Sequence, residues 1–229
     1  MKARGSTMSH VYKLYFGSSL FDHKDLIGNA LLASYLEKRS EGRYRCFLPQ
    51  TLPQENVTAV DIRNQDIKQI LECDLALFNF EGTELDAGTV VEFIFAKLLD
   101  IPSVIMRSDF RSSGEKELGG DDWNLMCSFY PRTHVVQFNA IEFHQQAMNE
   151  SRSLEEAMDR LYSRITSLLI QSLDLVISLP PVFRGDRSQL EGLYQWALRF
   201  PGGGLENLCS EASFVQEIVG AKIKKKIYH

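Results

Sequence analysis

A glutamate inside an otherwise apolar helical stretch is the residue of this 229-residue chain that most needs a chemical explanation. Glu92 lies in Gly88-Thr89-Val90-Val91-Glu92-Phe93-Ile94-Phe95-Ala96, about one turn inside an expected helix, and its neighbours argue against a solvated position. Two explanations compete. An acid near a helix start complements the macrodipole, which contributes roughly a few tenths of a kcal/mol at a surface. The same dipole would keep a partly buried carboxylate ionised, as a nucleophile requires. Asp86 stands six residues earlier on the entering loop, as a turn or cap residue or as a second acid. Asp66 falls in the middle of a helix-periodic run, where Asp is a poor helix former and ordinarily marks a solvated face. Tyr15 ends an apolar run, either as core with its hydroxyl bonded to backbone or as a polar group delivered to a strand end. After it come Phe16-Gly17-Ser18-Ser19-Leu20-Phe21, and Glu81 to Thr89 follows another apolar run. Carboxylates and a phenol brought together from such segments suit nucleophilic and acid–base chemistry.

The elements that must position these groups alternate regularly. Short apolar runs at 11–16, 44–48, 75–80 and 103–106 are separated by helix-periodic runs at 24–38, 60–71 and 89–99, and 134–138 supplies a fifth strand. Strand and helix in alternation predict a doubly wound, flavodoxin-like α/β fold with a five-stranded parallel sheet. The run Asp74-Leu75-Ala76-Leu77-Phe78-Asn79-Phe80 reads as a central strand, because parallel strands are buried on both faces. Ligands in such sheets bind outside the carboxyl ends of the strands, where the strand order reverses. Residues 10–178 are expected to form this domain and 179–229 an accessory helical C-terminal extension. That extension contains a helix over 188–200, a stop at Pro201-Gly202-Gly203-Gly204, a helix over 205–219 and a basic end at 222–226. Residues 108–121, rich in Gly and charge, are expected to form a mobile loop.

Composition removes several classes of function. A net charge of −5 from 25 Lys+Arg and 30 Asp+Glu, with no basic stripe, argues against a nucleic-acid partner. No apolar run reaches the length of a membrane span, so the protein is expected to be cytoplasmic with no membrane association. Cysteines 46, 73, 127 and 209 lie in apolar stretches and are expected as buried free thiols. His10, His23, His134, His144 and His229 are scattered without ligand spacing, and no G-x-G-x-x-G follows the first strand. Neither a metal nor another cofactor is expected.

Taken together, Tyr15-Phe16-Gly17-x-x-x-Phe21, Asp66 before Asp74, Asp86-x-Gly88-x-x-x-Glu92 and Asn124-Leu125-Met126 resemble the nucleoside 2-deoxyribosyltransferases. The resemblance covers roughly residues 11–140. It implies transfer of a 2-deoxyribosyl group between purine and pyrimidine bases in nucleotide salvage, through a covalent deoxyribosyl intermediate on Glu92. On the same ground Tyr15 orients the carboxylate, Asp66 assists protonation of the leaving base, and Asp86 lies by the sugar hydroxyls. Phe16, Gly17, Phe21, Gln50 and Gly88 are implied in binding deoxynucleoside and free base, with Gln54 competing for the role of Gln50. Asn124 and Met126 match residues that reach the sugar from a neighbouring subunit, which implies a homo-oligomer with shared active sites. Family members end near the site with a tyrosine; Tyr228 ends a much longer tail here, which leaves its equivalence open.

Two alternatives remain. A deoxynucleoside 5'-monophosphate N-glycosidase would share the fold and nucleophile and hand the sugar to water, with Gly17-Ser18-Ser19 as a phosphate nest. A non-catalytic flavodoxin-like nucleotide-binding module is the reading from another class, since fold alone does not fix function.

Overall fold

The computed structural model describes residues 10–53, 57–82, 84–109, 124–211 and 213–229. Gln54 and most of the 108–121 stretch lie outside these residues. Five strands, β1 (Tyr12–Ser18), β2 (Tyr44–Phe47), β3 (Leu75–Asn79), β4 (Ser103–Arg107) and β5 (Thr133–Gln137), form one parallel sheet in the order β2-β1-β3-β4-β5. This is the expected doubly wound arrangement. Strand order reverses between β1 and β3, whose register pairs Gly17 with Phe78 and Ser18 with Asn79.

The helices are α1 (His23–Arg39), α2 (Ala59–Glu72), α3 (Ala87–Leu98), α4 (Ala140–Asn149), α5 (Leu154–Ser178), α6 (Arg187–Arg199), α7 (Leu205–Leu208) and α8 (Phe214–Lys224). The strand–helix alternation does not announce α4 or α5. Helices α1 and α5 pack on one face of the sheet, α2 and α3 on the other. Side-chain caps start α1, α2 and α3. Asp22 caps α1 by accepting from the amides of Lys24 and Asp25 at 2.8 and 3.0 Å. Thr58 and Asp61 form a reciprocal capping box on α2. Asp86 caps α3, accepting from the Thr89 amide at 2.7 Å and its hydroxyl at 2.8 Å.

The core is continuous from the sheet into the C-terminal helices. Leu14, Leu75, Leu77 and Val104 are buried with Leu190, Tyr194, Val215 and Tyr228 in one cluster. The tail is tied to the amino end of the sheet. The Tyr228 hydroxyl donates to the Leu99 carbonyl at 2.5 Å, the Arg132 guanidinium donates to the Ile227 carbonyl at 2.9 Å, and Lys225 pairs with Asp74 at 2.6 Å. One expectation changes: the helix expected over 205–219 is broken into α7 and α8. The basic end packs against the sheet. Lys222 is 1% exposed and donates to the Cys73 carbonyl. Burial lowers its pKa to about 8 against the opposing pull of Asp74. Cys46, Cys73, Cys127 and Cys209 are free thiols. Among the described residues no helix is long and apolar enough to cross a membrane.

Candidate active site

At the carboxyl end of the sheet, beside the β1/β3 reversal, a cavity of about 400 Å3 is lined by Phe21, Asp66, Asp86, Gly88 and Glu92. The topology explains the convergence. The loop after β1 brings Phe21, α2 brings Asp66, and the capped start of α3 brings Asp86, Gly88 and Glu92. Five of the residues singled out in the sequence, from three segments, therefore share one wall system.

Glu92 is the sixth residue of α3 and points back toward β1. A Cβ placed on Gly17 would come within 2.8 Å of Glu92 Oε2 and 2.8 Å of Phe78 Cδ1. Only a glycine leaves room for the carboxylate to rest against the strand. The Tyr15 ring is 0% exposed, two residues earlier on the same face of β1 as Gly17. Its buried hydroxyl makes no fully formed hydrogen bond among the described residues. Glu92 is nevertheless near enough that its charge raises the Tyr15 pKa, after burial, while the hydroxyl lowers that of Glu92.

The electrostatics correct one expectation. The start of α3 does not keep Glu92 readily ionised. Burial first, then Asp66 and Asp86, push its pKa up to about 8 against the lowering by Tyr15. The macrodipole fades within the first turn, and Glu92 lies beyond it. Asp66 is raised to about 6 by burial alone, so it is no solvated-face residue. Asp86 fulfils its capping role and lines the cavity as well.

Other expected residues fall elsewhere. Phe16 is fully buried on the face of β1 opposite Tyr15 and Gly17, and does not line the cavity. Gln50 is occupied. Its amide donates to the Leu26 carbonyl at 2.8 Å, and its oxygen faces Asn29 Nδ2 at 3.4 Å, tying the turn after β2 to α1. Asn124 caps the short turn Leu125–Cys127, accepting from the Cys127 amide at 3.1 Å, and neither it nor Met126 lines the cavity. Met126 is 77% exposed and Phe129 69%. Tyr228 lies at the opposite end of the sheet.

Sequence reasoning missed Gln65, Ile62, Pro49 and Leu52, which complete the wall. Ile62 had a signal, since it stands four residues before Asp66 and three before Gln65 and so shares a helix face with each. Pro49 and Leu52 follow β2 at a strand end. Among the described residues no Lys or Arg lines this cavity, and the adjoining one across Asp86 is lined by Asp25, Glu81 and Glu84. The region is strongly acidic.

The model of the family described as nucleoside 2-deoxyribosyltransferase matches residues 14–171. Among solved structures, a conserved protein from Enterococcus faecalis V583 is 21% identical, covering 81% of this chain and 99% of its own, with a TM-score of 0.41. A 2-desoxiribosyltransferase from Leishmania mexicana is 18% identical, covering 62% and 99%, with a TM-score of 0.44. A CMP N-glycosidase from Clostridium botulinum is 13% identical, covering 60% and 97%, with a TM-score of 0.41. No curated protein matches the chain.

Proposed function

The chain belongs to the nucleoside 2-deoxyribosyltransferase family, and from that premise we propose that it exchanges the base of 2'-deoxynucleosides through a covalent intermediate on Glu92. The observation that carries this reading is the placement of the Glu92 carboxylate over Gly17 at the cavity wall, with the Tyr15 phenol behind it and Asp66 across from it. In the first half-reaction a Glu92 oxygen attacks C1'. The C1'–N bond breaks, its electron pair leaves with the base, and Asp66 supplies the base with a proton. A deoxyribose lacks the electron-withdrawing 2'-hydroxyl, so positive charge develops readily at C1', where the carboxylate stabilises and captures it. A second base then attacks C1', the ester C–O bond breaks, Glu92 is released as a carboxylate, and the incoming base returns a proton to Asp66.

The two acids differ in pKa, about 8 for Glu92 and about 6 for Asp66, so in the free chain a single shared proton rests mainly on Glu92 and must pass to Asp66 before the nucleophile can act. The productive form places that proton on Asp66. Asp86, held by Thr89, is placed to receive sugar hydroxyls, and Phe21 to cover the base. Asn124, half-buried, and Met126, exposed, lie outside the cavity of their own chain and are assigned to the site of a neighbouring subunit in a homo-oligomer.

The monophosphate N-glycosidase reading is disfavoured by the acidic walls, because a 5'-phosphate would meet Asp66, Asp86 and Glu92, with no Lys or Arg among the described lining residues. The test is transfer from deoxyinosine or thymidine to adenine or cytosine, followed by intact-mass analysis with a slow fluorinated deoxynucleoside. A deoxyribosyl adduct mapped to Glu92 is expected. An enzyme that turns over only the 5'-monophosphate, or exchanges bases with no adduct on Glu92, overturns the proposal.

A further inference from the structure

Apolar side chains of Leu20, Phe21, Pro49, Leu52 and Ile62 line the cavity, and Gln65 and Asp66 on α2 give it a polar edge separate from that of Asp86 and Glu92 on α3. Such a slot suits a flat heterocycle with its faces on hydrocarbon and one edge on the helix. The Gln65 Oε1 atom is buried and has no partner among the described residues. Four residues along α2, Gln69 carries a second buried carbonyl in the same state. Residues at that spacing are side-chain neighbours on one helix face. Unpaired buried acceptors cost free energy, so two on one stripe, one of them in the wall of a cavity, point to a ligand donor that is absent from the free chain. Gln50, the other amide available for such a role, is committed to Leu26 and Asn29.

We propose that Gln65 reads the exocyclic amino group of the base, so that this site prefers adenine and cytosine over hypoxanthine and thymine. The inference rests on the base-exchange reading of the same cavity. Turning the Gln65 amide about its last side-chain torsion, which is broadly populated, directs its NH2 to Gln69 Oε1 and its carbonyl to the cavity. Both orphan acceptors are then satisfied, Gln69 Oε1 by the Gln65 NH2 and Gln65 Oε1 by a ligand N–H. Adenine carries an amino group beside N7, and cytosine carries one beside N3. In each, the ring nitrogen next to the amino group is the one Asp66 can protonate. Hypoxanthine and thymine present a carbonyl at that place and set two acceptors against each other. Gln69 is the positioning residue, acting through Gln65 alone.

Calorimetric titration of the full chain with adenine, cytosine, hypoxanthine and thymine tests this, alongside Gln65→Leu, Gln65→Met and Gln69→Leu. The wild-type chain is expected to bind the amino bases about tenfold or more tighter than the oxo bases, as loss of one buried hydrogen bond implies. Both Gln65 variants should erase that ratio, and Gln69→Leu should reduce it without changing the melting temperature in proportion. Two near-isosteric variants guard against a fold effect in either one. Equal affinities in the wild-type chain, a preference for oxo bases, no binding of any base, or a ratio that survives both Gln65 variants overturns the inference. Parallel exchange assays separate the two levels. Exchange without a Gln65-dependent ratio defeats only this inference, whereas Gln65-dependent binding without exchange defeats the transferase reading.

Discussion

Replacing Glu92 with Gln should destroy activity and at the same time stabilise the fold, by an amount that grows with pH. In the unfolded chain a Glu titrates near its ordinary 4.5, and in the folded chain burial raises Glu92 to about 8. Between these values the folded state binds more protons than the unfolded one, so stability falls as pH rises through the window and the loss is complete above pH 8. The full gap between 4.5 and about 8 corresponds to about 5 kcal/mol at about 1.4 kcal/mol per unit, which is an upper bound. Glu92 is only partly buried and faces a water-accessible cavity, so about 2 kcal/mol is the expected size. Gln keeps the shape and never ionises. Thermal melts of the two proteins at pH 5, 7 and 9 should therefore show near-equal midpoints at pH 5 and a variant about 4–8 °C more stable at pH 9. Other groups titrate in both proteins and cancel. Exchange by the variant should fall by several orders of magnitude at every pH, as for loss of a covalent nucleophile. A variant no better than wild type at pH 9, or one retaining most activity, refutes the combination of burial and nucleophilic role assigned to Glu92.

Gly17→Ala should lower kcat/KM about 100-fold with a smaller effect on melting, because the new methyl would overlap Phe78, fixed between neighbouring rings, so the Glu92 carboxylate must move. Unchanged turnover would show that the observed carboxylate position is not the reacting one. The pH profile of kcat/KM should be bell-shaped, rising through about 6 as the Asp66/Glu92 pair loses its first proton and falling through about 8 as it loses the second, and a flat profile from pH 5 to 9 contradicts it. Mixing Glu92→Ala with Asn124→Ala chains should restore activity that each lacks alone, since some sites then combine two intact halves. A fully active Asn124→Ala enzyme would reduce Asn124 to its cap on the Leu125–Cys127 turn, where the loss is about 1 kcal/mol of stability. Ribonucleosides should be poor substrates, and equal turnover of inosine and deoxyinosine would remove the oxocarbenium argument.

Much of this architecture is written locally. Alternation of apolar strands with helix-periodic segments determined the parallel sheet, because parallel strands must bury both faces and need helices to cover them. The positions of Phe21, Asp86, Gly88 and Glu92 after their strands put them at the carboxyl edge before any contact was known. Glu92 stood out because its neighbours are apolar, whereas Asp66 read locally as a solvated-face residue and gained significance only through the family resemblance. Long-range contacts decided the rest. Which of the amides Gln50 and Gln65 meets the cavity depends on how α2 is rotated against the sheet and on Gln50 being taken by α1. The need for glycine at position 17 comes from Glu92 and Phe78, distant in sequence, arriving at one point on β1. The raised pKa of Glu92 is a property of three carboxylates and their shared burial, not of a helix start. Likewise, nothing local tells the tail that Lys222, Lys225 and Tyr228 belong against the amino end of the sheet. Their partners are backbone carbonyls and a buried Asp74 that exist as a surface only once the sheet has formed.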